Sequence, residues 1–201
     1  MLVITGTGRS GTSVIAKWLD ECGLLPYESE WIPQFNSGYH PKDVRRLNSA
    51  IWIGNDAPLQ SLPLQEEMIK GFDYNVVKDP MFFYGNVLDT WLSVRTDLTF
   101  LICIRNFHHV EKSRRKVNQL NQLKNPEELR LCFGTFLSTL IFKGIKYKIV
   151  NYPNFLEEHD AIYSHIESLD ESVLELNGKK ISRKKSLKVW EGVVDKSLVN
   201  T

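Results

Sequence analysis

At 201 residues, with 25 basic against 24 acidic side chains and a formal net charge of +1, the chain has the size of one domain with a full core. It lacks the charge excess of a nucleic-acid or anionic-membrane binder. No apolar run approaches the ~20 residues of a membrane span, the N-terminus enters a strand pattern without a basic leader, and Cys22, Cys103 and Cys132 read as reduced core residues, so a soluble, cytoplasmic protein is expected.

The first pattern is Leu2 to Thr5, a short apolar run that reads as a buried strand. It passes into Gly6-Thr-Gly-Arg-Ser-Gly-Thr-Ser13 and then into Thr12 to Cys22, where apolar residues recur at helical spacing. A strand, a glycine turn and a helix N-terminus in that order can aim several backbone N–H groups at one anion. Gly6, Gly8 and Gly11 permit close approach and left-handed backbone at the positive end of the helix. The Walker pattern G-x-x-x-x-G-K-[ST] fits at Gly6 and Gly11 but puts Thr12 where its lysine belongs. Arg9 is the cation instead, a planar fork suited to sulfate or phosphate oxygens, with Ser10, Thr12 and Ser13 as neutral donors. A plain connecting turn would have the same composition, and the rest of the chain decides between the two.

Residues 26–71 carry Trp31, Phe35, Tyr39, His40 and Trp52 among scattered Pro, Asn and Gly. They read as an insertion of loops and short helices beside the turn, a common place for substrate recognition. Glu28 and Glu30 open this segment and can return over the turn as a general base. Asn75 to Val77 is the second strand pattern, and its end presents Lys78 and Asp79 before Pro80 stops the ladder. A helical pattern follows from Met81 to Val94.

The third strand, Thr99 to Ile104, ends in Arg105, and the helical pattern around Val110 to Leu123 carries Ser113. An arginine at a strand tip and a serine on the near side of the next helix can hold one phosphate between them. His108 and His109 are adjacent and have no third ligand spaced to join them, so no metal site is expected there. Further patterns are a helix from Pro126 to Lys143, a strand from Tyr147 to Val150 and a helix from Asn154 to Leu169. Ser182-Arg-Lys-Lys185 reads as a solvated basic turn with Trp190 packing nearby. Strands separated by helices require crossover connections, hence an α/β protein with a mostly parallel sheet flanked by helices in three layers, one domain over 1–201. Gly6, Lys78 and Arg105 then fall at the carboxyl ends of strands, where such sheets bind ligands.

Three segments carry a resemblance. Arg9-Ser-Gly-Thr-Ser13 after the first strand resembles the 5′-phosphosulfate loop of sulfotransferases. Ile102-Cys-Ile-Arg-Asn-Phe-His-His-Val-Glu-Lys-Ser113 resembles the family segment in which a strand-end arginine and a serine eight positions later bind a 3′-phosphate; Phe107 and His109 stand where the family has proline and aspartate. Lys78-Asp-Pro80 resembles a triplet of the tyrosylprotein and bacterial branches, whose lysine faces the sulfuryl group. In the tyrosylprotein branch a catalytic glutamate follows the loop arginine at the interval that separates Arg9 from Glu30.

The resemblance implies a P-loop nucleotide-hydrolase-like fold of the sulfotransferase type. It also implies an enzyme that moves a sulfuryl group from 3′-phosphoadenosine 5′-phosphosulfate to a hydroxyl or amine, with 3′,5′-ADP as product and no metal. The acceptor would be a small molecule, a glycan or a peptide. By the same resemblance Gly8, Arg9, Ser10, Gly11, Thr12 and Ser13 hold the 5′-phosphosulfate, Arg105 and Ser113 hold the 3′-phosphate, and Lys78 with Arg9 faces the reacting centre. Glu30 is the base, with Glu28 second and His40 third. Two other readings stand beside it: a P-loop small-molecule kinase using ATP and magnesium, with Asp79 as metal ligand, and a nucleotide-binding module without turnover.

Overall fold

The structure, a computed structural model, describes residues 1–27, 30–32, 37–54, 56–116 and 125–194. In chain order the first half comprises β1 (Leu2–Gly6), α1 (Thr12–Glu21), β2 (Glu30–Ile32), β3 (Ser37–His40), α2 (Lys42–Ile53), α3 (Leu62–Gly71), β4 (Val76–Lys78) and α4 (Gly85–Val94). The second half comprises β5 (Thr99–Ile104), α5 (Phe107–Lys116), α6 (Pro126–Phe142), β6 (Tyr147–Asn151), α7 (His159–Leu169), β7 (Glu175–Leu176), β8 (Lys179–Lys180) and α8 (Arg183–Val193). Four strands form a parallel sheet in the order β4-β1-β5-β6. β2 with β3, and β7 with β8, are separate antiparallel hairpins.

The sheet is buried on both faces because its strands are apolar on both faces. Leu2, Ile4, Leu101 and Cys103 face one side, where they meet Ile15, Trp18 and Leu19 of α1, Ile162 and Ile166 of α7, and Trp190 of α8. Val3, Phe100 and Ile102 face the other, against Val44 and Leu47 of α2, Val87, Leu88 and Trp91 of α4, and Phe136 and Leu140 of α6. Each such side chain contributes about 1.5–3 kcal/mol when fully buried, so the two cores fix which strand tips are neighbours. Leu2 pairs with Val76 on one side and Thr99 on the other, which brings the ends of β4, β1 and β5 into one row.

The four expected strands form the sheet, and the surrounding segments differ from expectation in several places; the helix expected from Asn154 begins only at His159, after a 3-10 turn over Asn154–Glu157. The helix expected from Met81 is interrupted: Pro80–Phe83 is a 3-10 turn whose Met81 N–H donates to Asp79 Oδ1 at 3.0 Å, and Tyr84 is extended before α4 begins. Ser182 to Lys185 is not a free basic turn but the start of α8. Ser182 Oγ accepts from Lys185 N–H at 3.3 Å, and Trp18 Nε1 of α1 donates to Ser186 O at 3.2 Å. The segment 26–71 is a working layer of the fold, since Val44, Leu47 and Ile69 lie in the second core. Its apolar positions keep helical spacing, but Arg45, Arg46 and Asn48 between them obscure the pattern. Of the helix expected to run to Leu123, residues 117–124 lie outside the described residues. Among the described residues no helix is long and apolar enough to cross a membrane.

The tightest approach in the sheet is at Gly6, where a Cβ would lie 2.1 Å from the backbone oxygen of Cys103 on β5. Gly6→Ala should therefore destabilise by about 3 kcal/mol or more in urea unfolding, as overpacking against immobile backbone does. Gly134, inside α6 with nothing within 4 Å of the Cβ position, should gain about 1 kcal/mol as Ala through helix propensity. Equal midpoints for the two variants would contradict the packing described.

Candidate functional site

The turn after β1 is held in a shape that only part of its sequence favours. Gly8 and Gly11 have φ of 69° and 89°, and Arg9 between them is also left-handed at φ 58°, a conformation that costs a residue with a Cβ about 1–2 kcal/mol. Gly11 caps α1 without a side-chain hydrogen bond, and the first turn of α1 carries no acidic residue. Its leading N–H groups therefore present the positive end of the helix beneath the turn.

Three neighbours fix that shape. Arg114, from the inner face of α5 and 3 % exposed, donates through Nη2 to Thr7 O. The same guanidinium lies beside Gly8, 3.4 Å from where a Cβ would stand. Tyr152 and Phe155, which follow β6, close over Gly11 so tightly that a Cβ there would come within 2.5 Å and 2.7 Å of their rings.

Arg9 Nε donates to Ser113 Oγ on α5 at 3.1 Å. Arg105, two residues beyond the Gly6–Cys103 pair, places Nη1 3.5 Å from Arg9 O and its guanidinium over the Tyr152 ring at 5.0 Å. The loop and strand-tip residues that the sequence assigns to two ends of one ligand are thus side by side. Burial, and next the Arg105 charge, lower the pKa of Arg9, with Arg114 adding to the effect and Tyr152 opposing it. Ser10 Oγ, which lies against Gly6, and Arg105 Nε are buried polar atoms with no hydrogen-bond partner. Buried polar atoms are ordinarily paired, so two donors beside the turn suit a bound oxyanion. Thr12 is buried and Ser13 half-buried in the first turn of α1.

Lys78 ends β4 level with Ile4 of β1 and is fully buried. Burial lowers its pKa from 10.5 to about 7; Asp79 opposes that shift while the Arg45 charge adds to it. Its Nζ lies 2.9 Å from Nε2 of His40, the last residue of β3 and 2 % exposed. Burial and the Lys78 and Arg45 charges hold His40 well below the usual histidine range. A neutral ring that accepts at Nε2 carries its proton on Nδ1, which lies 3.4 Å from Arg45 Nη1 and 3.9 Å from Asp79 Oδ1, the oxygen to which Arg45 Nη1 itself donates.

The carboxylate of Asp79 is fully buried and already engaged. Oδ1 accepts from Arg45 Nη1 at 3.2 Å and from Met81 N–H at 3.0 Å, and Oδ2 accepts from Asn48 Nδ2 at 3.1 Å. Asn48 Oδ1 in turn accepts from Trp91 Nε1 at 2.7 Å. Asp79 therefore anchors α2 and the 3-10 turn onto β4.

Among the base candidates, the Cα of Glu30 pairs with that of His40 across the β2–β3 hairpin, one strand away from the residue that touches Lys78. Glu28 lies outside the described residues. His40 is in contact with Lys78 at Nε2 and with Arg45 at Nδ1, and His108 and His109 are exposed on α5. Sequence reasoning missed Arg114 and Tyr152. Arg114 carried a signal, four residues after Val110 on the same buried helix face; Tyr152 carried none, because it reaches the turn only once β6 pairs with β5. Comparison with known proteins adds no relative: no family model matches the chain, and no curated protein gives a significant match.

The buried ammonium has a signed consequence. The folded pKa of Lys78 is below its unfolded value, so from about 7 to 10.5 the unfolded chain binds more protons and stability rises with pH; below about 7 the penalty is complete. The stability of Lys78→Met relative to wild type should therefore be greatest near pH ~6.5 and should fall steadily towards pH ~10, read from denaturant midpoints. A difference that does not change with pH would show that Lys78 keeps an ordinary pKa.

Proposed function

We propose that this protein is a sulfotransferase that moves a sulfuryl group from 3′-phosphoadenosine 5′-phosphosulfate to a hydroxyl or amine acceptor, on a sulfotransferase-type P-loop fold. The observation that carries the proposal is that Arg9, in the turn after β1, bonds Ser113 of α5 while Arg105, just past β5, reaches the Arg9 carbonyl. The resemblance of the three segments supplies the chemistry, and their meeting at one end of the sheet is what a single bisphosphorylated ligand requires. The fit is supported by two buried, unpaired donors, Ser10 Oγ and Arg105 Nε.

The donor supplies a sulfuryl group on a phosphate that leaves readily; a bond from acceptor oxygen or nitrogen to sulfur forms as the bond from sulfur to phosphate oxygen breaks. The chain's contribution is position and charge. Loop N–H groups with Thr12 and Ser13 hold the 5′-phosphate, and Arg105 with Ser113 holds the 3′-phosphate. Arg9 and Lys78 provide positive charge, and an adjacent anion raises the proton affinity of Lys78 above that of the free protein. Glu30 takes the acceptor's proton.

The kinase reading needs Asp79 as a magnesium ligand, yet both oxygens of that carboxylate are bound to Arg45, Asn48 and Met81. That engagement favours the sulfuryl reading. A nucleotide-binding module without turnover would bind the same ligand and transfer nothing.

The discriminating experiment is thermal unfolding with 3′,5′-ADP or with ATP–Mg²⁺. Only 3′,5′-ADP should raise the midpoint, and Arg105→Ala should weaken it about 100-fold, equivalent to about 2.7 kcal/mol for a charge-assisted contact. In the transfer assay Glu30→Gln should lower kcat by about 100- to 1,000-fold with 3′,5′-ADP affinity kept. Stabilisation by ATP–Mg²⁺ alone would overturn the proposal, and full activity in Glu30→Gln would remove Glu30 as base.

A further inference from the structure

The tip of β4 is joined to the β2–β3 hairpin by side chains and not by a strand ladder. Lys78 N–H donates to Tyr27 Oη at 3.2 Å, and that hydroxyl donates to Tyr39 O at 3.2 Å. Tyr39 is left-handed, at φ 65°, immediately before His40. A non-glycine residue in that region is held there by its surroundings. His40 then enters the buried space beside Lys78, with Nε2 2.9 Å from Nζ.

We infer that His40 is a positioning residue for Lys78, accepting its ammonium at Nε2 and registering the hairpin that carries Glu30 against the strand tip. The inference rests on the proposed reaction only for the purpose of the contact, not for its existence. A neutral imidazole suits the task because it orients an ammonium without cancelling its charge, whereas a carboxylate would neutralise it. Asp79, the nearest acid, has its oxygens drawn off by Arg45 and Asn48 of α2 and by Met81 N–H. The charged and titratable groups that act on Lys78 include, among the described residues, Asp79, Arg45 of α2, Arg9 of the turn and Cys103 of β5, with His40 and Tyr27 in contact. The Glu30–His40 pairing makes one residue answer for the spacing between the proposed base and the proposed cation.

The test has a readout independent of turnover. At pH ~6, where the Lys78 amine is protonated, 15N-histidine labelling should show His40 as a neutral ring protonated at Nδ1, and its Nε2 signal should move in Lys78→Met. An Nε2-protonated ring, or a signal indifferent to Lys78→Met, would overturn the inference whatever the enzyme does. In the transfer assay His40→Gln, which can still accept a hydrogen bond, should stay within about threefold of wild type. His40→Phe should lose about 100-fold in kcat, with 3′,5′-ADP affinity changed less than about threefold, as small misplacements of a reacting group do. If wild type transfers sulfuryl and both variants match it, positioning fails while the reaction stands; the expected 15N signature without any transfer would leave the contact standing and sink the reaction.

Discussion

Positive charge is buried beside positive charge at one end of the sheet, and desolvation is the larger part of its cost. Arg9, Lys78 and Arg105 gather at the carboxyl ends of three neighbouring strands, with Arg114 of α5 beside them; burial first, and then the charges of Arg105 and Arg114, lower the pKa of Arg9, while burial and the charges of Arg45 and Arg9 lower that of Lys78. The fold holds them by fixing their partners. Arg114 is tied to a loop carbonyl, Arg105 is laid over an aromatic ring, Arg9 is bonded to a hydroxyl and Lys78 to an imidazole. Neutral acceptors of this kind orient positive charge without consuming it, and they leave a site disposed towards anions.

That arrangement is costly in the free protein, and the cost is borne by the two cores. A fully buried lysine and a left-handed arginine in one site are departures from what stability alone would select. Both faces of the sheet are closed by large side chains, with Trp18 and Trp190 edge to face on one side and Phe82, Trp91 and Phe100 on the other. The double layer lets the strand tips stay in register while the turn between β1 and α1 remains strained.

The sheet was legible in the sequence because buried parallel strands are continuous apolar runs, and the residues after them, Gly6, Lys78 and Arg105, follow once the ends are known. The alternation of Leu2, Val3 and Ile4 between two cores requires only a period of two. The burial of Lys78 was not legible, because β3 and α2 cover it from a distance in sequence and neither has a strong pattern of its own. Arg45 and Asn48 look like the solvated side of a helix, yet they engage the carboxylate beside Lys78. Residue type alone makes His40 a candidate base; its place as a partner of Lys78 emerges only from the contact. α8 escaped notice because its exposed first turn is basic, while the two residues that secure it, Ser186 and Trp190, are four apart.

The proposed function requires one ligand to span two anion grips, the glycine turn at the end of β1 and Arg105 with Ser113 beyond the end of β5. The most direct measurement is a crystal structure of the complex with 3′,5′-ADP. The account predicts one phosphate on the N–H groups of residues 8–13 and the other on Arg105 and Ser113, with Arg9 released from Ser113. A ligand that engages only one of these grips, or that binds away from both, would contradict it.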